Sequence, residues 1–263
     1  MRGTGYMIDS HCHLTDPRLR SQLDDVLRRA ADNNVNRMIT IGTNVADARD
    51  AIELCRAHAN IRCAIGIHPN YCQDAQPNDV ETIRQLQSEP PVLAVGEMGL
   101  DYHYDFADRA RQRQFFEAQL ALATELRRPV VIHCREAAED TLAVMRGFPK
   151  LTGAVFHCFT GSVSEARQII AAGYYLGFTG AVTFKKNDEL REAARITPRD
   201  RLLVETDSPY LSPEPMRKQK TNEPAFVVHV AQTIADVWGV SLEEVDRITT
   251  ENVIRLFGLT PAC

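Results

Sequence analysis

The sequence predicts an α/β fold, a (β/α)8 barrel formed by one domain over residues 1–263. Two observations predict this fold. About eight short apolar runs of strand type recur along the 263 residues, and most are separated by stretches with helical spacing. Side chains that commonly bind metals stand at the ends of several of these runs, where such a barrel builds its active site.

The strand-like runs follow one another along the whole chain. They are continuous rather than alternating in hydrophobicity, which indicates strands that are buried on both faces. We expect strands near residues 6–10, 37–42, 61–67, 92–97, 129–134, 153–157, 174–179 and 202–206.

Amphipathic stretches between the runs predict helices that cover the sheet. Residues 114–126 and 224–238 carry apolar side chains at helical spacing on one stripe. Ser241 and Glu244 form a capping-box signature, so a closing helix is expected at about 241–257. These stripes are interpreted as core rather than as cofactor contacts.

Composition limits the class of protein. A chain with 44% hydrophobic residues can bury a full barrel core, and it contains no repeat, linker or apolar run of membrane-spanning length. The first residues lack the apolar core of a signal peptide, and seven cysteines argue against a disulfide framework. We therefore expect a cytoplasmic protein with no membrane partner and no obligatory protein partner.

Six side chains are candidate metal ligands. His11 and His13 stand two apart on a predicted strand, so both imidazoles face the same way. Taken alone, this pair is as easily a chance arrangement, and a lone His133 or His157 is more often structural. The recurrence of ligand-type residues at strand ends favours one metal site built from these residues: His11, His13, Glu97, His133, His157 and Asp207.

The order of these motifs resembles the TatD family of metal-dependent deoxyribonucleases, within the amidohydrolase-type barrel superfamily. The similarity extends from residue 9 to residue 224, over nearly the whole chain. The matching segments are Asp-Ser-His-Cys-His-Leu at 9–14, Gly-Ile-His-Pro at 66–69, Gly-Glu-Met-Gly-Leu-Asp-Tyr at 96–102, His-Cys-Arg-Glu-Ala at 133–137, His-Cys-Phe-Thr-Gly at 157–161, Glu-Thr-Asp-Ser-Pro-Tyr-Leu at 205–211 and Asn-Glu-Pro at 222–224.

The resemblance implies a centre of two divalent ions. One ion would be held by His11, His13 and Asp207, and the second by His133 and His157, with Glu97 as the bridge between them. Asp207 and Glu97 are the expected catalytic residues, and Asp207 is also the candidate base for the attacking water. Mg or Mn is expected in turnover, and Zn is possible in the purified protein.

Two further carboxylates have open interpretations. Glu205 either orients the site from behind or touches a metal, and a buried carboxylate paired with an arginine is an equally good interpretation. Asp101 either orients a ligand or the Arg135 guanidinium, or it is structural.

Three residues are candidate substrate contacts. The resemblance places His68 beside the substrate, and the planar guanidinium of Arg135 suits phosphate oxygens. Phe159 either stacks on a base or packs in its loop. Basic runs at Lys185–Lys186 and at 217–220 are either DNA contacts or solvated loops, and the formal net charge of −5 favours a narrow contact with a strand end or a short single strand.

The chain departs from the family pattern between residues 213 and 224. Met216 stands where the family usually has histidine, the usual glycine is missing, and the loop is one residue longer. This departure leaves the predicted metal ligands intact and makes substrate preference less certain.

The expected function is hydrolysis of DNA by a metal-dependent phosphodiesterase, which the resemblance makes a 3′–5′ exonuclease on single strands. The alternative is an amidase, lactonase or esterase, because the same centre polarises a carbonyl as readily as a phosphoryl group. A binding module with purely structural metals is the weakest hypothesis. The physiological substrate, cleavage polarity, native metal and oligomeric state stay open.

Overall fold

The computed structural model describes residues 7–260. Its eight strands run parallel wherever their pairing is defined, and they follow the sequential order β1 to β8. A helix follows each strand, which is the topology of a (β/α)8 barrel. The strands are β1 (Met7–Cys12), β2 (Val35–Gly42), β3 (Ile61–Ile65), β4 (Val92–Asp101), β5 (Val130–Arg135), β6 (Ala154–Phe156), β7 (Tyr175–Phe178) and β8 (Leu202–Val204).

All eight predicted strands are present, with ends that differ by a few residues. Tyr6, where the first strand was expected to begin, lies outside the described residues. The largest difference is at β4, which continues to Asp101, so that Glu97 lies inside this strand and not at its end. The register of β4 against β5 shifts between Val95 and Met98, on either side of Glu97.

The helices alternate with the strands. They are α1 (Pro17–Arg20), α2 (Leu23–Asp32), α3 (Val45–Ala57), α4 (Asp79–Leu86), α5 (Arg109–Leu126), α6 (Ala138–Met145), α7 (Val163–Ala171), α8 (Asp188–Ile196), α9 (Val227–Trp238) and α10 (Leu242–Phe257). The closing helix α10 is confirmed, and the hydroxyl of Ser241 accepts a hydrogen bond from the backbone N–H of Glu244 at 3.2 Å. Helix α5 begins five residues before the predicted start at 114.

Membrane-spanning potential is weak in residues 7–260. No single helix there is both long and apolar enough to cross a bilayer. The segments Pro224–Trp238 and Leu242–Phe257 pass the length and composition test only as a pair bent by 108°, a test that buried core helices also pass.

The chain divides into two compact units. The first comprises the chain up to Thr40 and from Cys158 onward, and the second comprises Ile41–His157. In the first unit β1 pairs with β2 and β7 with β8, and Ile8 and Phe178 are fully buried. In the second unit β3 to β6 pair in sequence, and Phe116 of α5 is fully buried. The single-domain assignment stays a prediction.

Candidate metal sites

Three predicted ligands converge in the first unit. His11 at the end of β1, His13 just after it and Asp207 after β8 bring their polar atoms together. The two Nε2 atoms are 3.3 Å apart, and Oδ1 of Asp207 lies 3.2 Å from Nε2 of His13 and 3.7 Å from Nε2 of His11. His11 is buried, whereas 14% of the His13 side chain and 12% of the Asp207 side chain are exposed.

Backbone bonds fix this arrangement. The N–H of Asp207 donates to the carbonyl of His11 at 2.9 Å, and the N–H of His13 donates to the carbonyl of Ser208 at 2.7 Å. These bonds continue the pairing of β1 with the chain after β8, where Cys12 bridges to Ser208. Asp207 has a left-handed backbone, with φ of 53°, which turns its side chain away from the regular strand direction.

Asp9 supports the same triad and was not assigned a role from the sequence. Its carboxyl accepts from the N–H of Thr206 at 2.9 Å, the Thr206 hydroxyl at 2.6 Å and the N–H of His11 at 3.4 Å. Burial raises the pKa of Asp9 to about 8, despite these hydrogen bonds. The only sequence signal was a carboxylate in the middle of an apolar strand.

Glu205 lies behind the triad in the first unit. It is buried, and its carboxylate accepts hydrogen bonds from the hydroxyl of Ser10 at 3.2 Å and the backbone N–H of Cys158 at 2.5 Å. A Cβ added to Gly177 would lie 2.5 Å from this carboxylate. The glycine in β7 therefore leaves the space that the Glu205 carboxylate occupies. These contacts suit the orienting role, and the choice among the roles that the sequence left open for Glu205 stays a prediction.

The second unit gathers the other predicted ligands around Glu97. Its Oε1 lies 2.6 Å from Nε2 of His157, 2.8 Å from Nδ1 of His133 and 3.3 Å from Nε2 of His68. Glu97 is buried in β4, His133 lies in β5, and His157 follows β6. Sequence reasoning placed His68 with the substrate, yet the structure also groups it with Glu97 and His133 as a set able to hold an ion.

Asp101 orients His133. Its Oδ2 lies 2.8 Å from Nε2 of His133, and its Oδ1 accepts from the N–H groups of His103 and Tyr104, each at 3.0 Å. With its Nε2–H on Asp101, neutral His133 points an Nδ1 lone pair at the Glu97 carboxylate, an arrangement that requires a proton or a cation between them. Burial alone would lower the pKa of His133, but the hydrogen bonds to Asp101 and Glu97 outweigh it and raise this pKa above its usual value.

His68 has the same tautomer as His133, with its proton on Nε2. Its Nδ1 accepts from the N–H of Asn70 at 3.1 Å, so the neutral ring carries its proton on Nε2, which faces Glu97 and His133. Burial lowers the pKa of His68, which favours this neutral form despite the Glu97 carboxylate. His68 in this state is a hydrogen-bond donor, a property that suits a phosphate oxygen.

Helix α5 braces the second unit with two buried glutamines, a feature that sequence reasoning missed. The side chain of Gln119 exchanges hydrogen bonds with the backbone N–H and carbonyl of Ile67, at 2.7 and 3.0 Å. Gln112 does the same for Asp101, at 2.8 and 3.0 Å. The signal in the sequence was a pair of amides seven residues apart, on the apolar side of the α5 stripe.

The remaining predicted contacts divide by exposure. Arg135 at the end of β5 is exposed, with its guanidinium 5.1 Å from the Tyr104 ring. Phe159 is only 6% exposed and packs near Phe178, so the packing alternative is favoured over base stacking. Lys185, Lys186 and the basic residues at 217–220 are exposed, and Arg217 lies over the ring of Phe184 at 3.6 Å.

The donor atoms in the first unit fit a divalent cation. Ligand atoms that share one ion at bond lengths of about 2.0–2.2 Å are roughly 3–3.5 Å apart. The separations of 3.2 to 3.7 Å in the first unit, between two imidazoles and a carboxylate, are close to that range. The carboxylate–His133 contact in the second unit adds the outer-shell support that metal-bound histidines usually have.

Comparison with known proteins places this chemistry in a family. The sequence profile of the TatD related DNases matches residues 8–258. The chain belongs to the TatD related DNase family. It is 42% identical over 257 residues to the uncharacterized metal-dependent hydrolase YcfH of Escherichia coli, with 96% of each chain covered. It is 38% identical to the 3′-5′ ssDNA/RNA exonuclease TatD of Erwinia tasmaniensis, covering 96% of this chain and 100% of the relative.

A solved structure agrees with this membership. The crystal structure of the TatD homologue YJJV from Escherichia coli superposes with a TM-score of 0.92 at 26% identity, covering 98% of this chain and 100% of that chain. The predictions of a (β/α)8 barrel and of a metal-dependent hydrolase are therefore confirmed. The individual roles of the site residues stay predictions.

Proposed function

We propose that this TatD-family hydrolase is a deoxyribonuclease that removes nucleotides from the 3′ end of single-stranded DNA. The observation that carries the proposal is a pair of candidate ligand sets. In one unit the atoms of His11, His13 and Asp207 lie 3.2 to 3.7 Å apart, and in the other His157 and His133 lie 2.6 and 2.8 Å from one carboxylate oxygen of Glu97. The TatD relative of Erwinia tasmaniensis, whose name specifies a 3′-5′ ssDNA/RNA exonuclease, supports the polarity and the substrate.

Each set would hold one divalent ion, Mg or Mn in turnover and Zn possible after purification. Bound there, such ions make a water more acidic and balance charge on a phosphodiester. The expectation that Glu97 bridges the two ions stays a prediction.

The protein's own groups would share the remaining work. The carboxylate of Asp207, next to His13 Nε2, is the proposed acceptor of the water's proton. The Nε2–H of His68 and the exposed guanidinium of Arg135 would hold non-bridging phosphate oxygens through charge-assisted or neutral hydrogen bonds. Asp101 and Glu205 would keep His133 and the triad in place from behind.

The test is hydrolysis of a single-stranded oligonucleotide labelled at its 5′ end. Mononucleotides should be released progressively from the 3′ end in Mg or Mn, and a chelator should stop the reaction. Asp207→Asn should lower the rate by about 100-fold or more, as expected for a positioned acid–base group. Asp200→Asn removes the same charge from an exposed carboxylate and should retain the wild-type rate.

The same preparations should be given ester, lactone and amide substrates. If DNA stays intact with every metal while one of these is hydrolysed in an Asp207-dependent manner, the nuclease proposal is wrong and the alternative hydrolase takes its place.

A further inference from the structure

Exposed aromatic side chains are concentrated in one loop of the second unit. Among residues 7–260 the exposed large apolar or aromatic side chains are Tyr71, Tyr104, Phe106 and Tyr210. Tyr104 and Phe106, 41% and 59% exposed, stand two residues apart in the loop after β4. Their ring centroids are 5.3 Å apart with an interplanar angle of 31°. We refer to this pair as the aromatic ledge.

The loop that carries the ledge is anchored at both ends. The Asp101 carboxylate accepts from the backbone N–H of Tyr104, and Gln112 donates to the carbonyl of Ala107 at 3.0 Å. Tyr102, at the start of the loop, donates its hydroxyl proton to Asp140 at 2.8 Å. The backbone of the loop is thus held in place while the two rings stay in solvent. A ligand that stacks on the rings therefore loses little free energy to ordering of the loop.

A cation lies against the ledge. The register of β4 and β5 pairs Asp101 with Arg135, and the Arg135 guanidinium is 5.1 Å from the Tyr104 ring. The Arg135 side chain is exposed, so its charge is accessible to a ligand. The combination of two neighbouring exposed rings and an exposed guanidinium matches a nucleic acid strand, which alternates flat bases with phosphates.

We propose that the aromatic ledge stacks unpaired bases of a single-stranded nucleic acid while Arg135 binds an adjacent phosphate. The proposal deepens the proposed function and rests on it. The position is suitable, because Asp101 joins the ledge loop to His133 through its two carboxylate oxygens. Bases inside a duplex have no free face for these rings, so the ledge selects single strands or frayed ends.

The binding test uses a short single-stranded oligonucleotide with nuclease-resistant linkages and 2-aminopurine near its 3′ end. Titration with wild-type protein in Mg should quench the 2-aminopurine fluorescence, because stacking on an aromatic ring quenches it. Tyr104→Leu and Phe106→Leu should each weaken binding at least about fivefold and reduce the quenching. The matched variants Tyr104→Phe and Phe106→Tyr keep a ring at each position and should bind like wild type.

Salt dependence tests the phosphate contact. Loss of one contact on a single strand should lower the slope of log affinity against log salt by about 0.7. We expect that change in Arg135→Gln, whereas Arg135→Lys keeps the charge and should keep the slope.

Two negative outcomes are distinguishable. If wild type binds and degrades single-stranded DNA while the leucine variants bind and quench as well as the ring-retaining variants, the ledge proposal is overturned and the proposed function stands. If wild-type protein neither binds nor degrades single-stranded DNA, the proposed function fails and the ledge proposal fails with it.

Discussion

Replacing Gln119 with methionine tests whether helix α5 braces the chain next to His68. Methionine is close to glutamine in length and volume, so the change removes polar atoms with little change in packing. The backbone N–H and carbonyl of Ile67 would lose their partners at 2.7 and 3.0 Å, and both groups are buried. Each unsatisfied buried group costs about 1–3 kcal/mol, so Gln119→Met should destabilise the protein by about 2–6 kcal/mol.

Thermal unfolding measures this loss. In a chain of this size, each kcal/mol lowers the melting temperature by about 2–4 °C, so we expect a fall of roughly 5–20 °C. The control is Gln114→Met on the exposed face of the same helix, where the effect should stay within about 0.5 kcal/mol. Melting of Gln119→Met within about 2 °C of the control would refute the bracing argument.

Three further predictions concern single residues. Asp101→Asn should weaken metal binding about 10–100-fold by calorimetric titration, because it removes the charge that orients His133; unchanged affinity would contradict that role. Gly177→Ala should cost about 1–3 kcal/mol in a denaturant titration, since its Cβ would lie 2.5 Å from the Glu205 carboxylate, and an unchanged midpoint would contradict this. Burial raises the pKa of Asp246, so ionisation of this carboxyl destabilises the folded protein at pH values above its unfolded-state pKa of about 3.9. Asp246→Asn should therefore raise the melting temperature at pH 7, and it should raise it much less at pH 4.

The strands were predictable because their signal is local. A buried parallel strand is a continuous apolar run, and such a run is visible without knowing what packs against it. The end of β4 was missed because Gly96, Glu97 and Gly99 interrupt its apolar run, although the strand continues to Asp101. At Gly99, φ is 147° and a side chain would collide with the carbonyl of His133, which explains why glycine stands inside a strand there.

The candidate ligands were also predictable, because histidine and carboxylate side chains at strand ends are a pattern of type and position. The hydrogen bonds that support the sites were not predictable, because they join residues far apart in the sequence. The bonds between Gln119 and Ile67, for example, join residues 52 apart. The tautomer of His68 depends on the N–H of Asn70, which periodicity does not reveal. The sequence also left two interpretations of Phe159, packing or base stacking, and it is the burial of this side chain in the structure that favours packing.

Asp101 shows why the sequence left structural and functional interpretations evenly balanced. One carboxylate oxygen holds a histidine of the ligand set, and the other holds the backbone of the loop that carries the aromatic ledge. The loop and the imidazole are therefore positioned by the same group. In the proposed function, Asp101 would therefore couple the loop whose rings stack on bases to the histidine that would hold a metal, and this coupling depends on contacts that the sequence alone does not reveal.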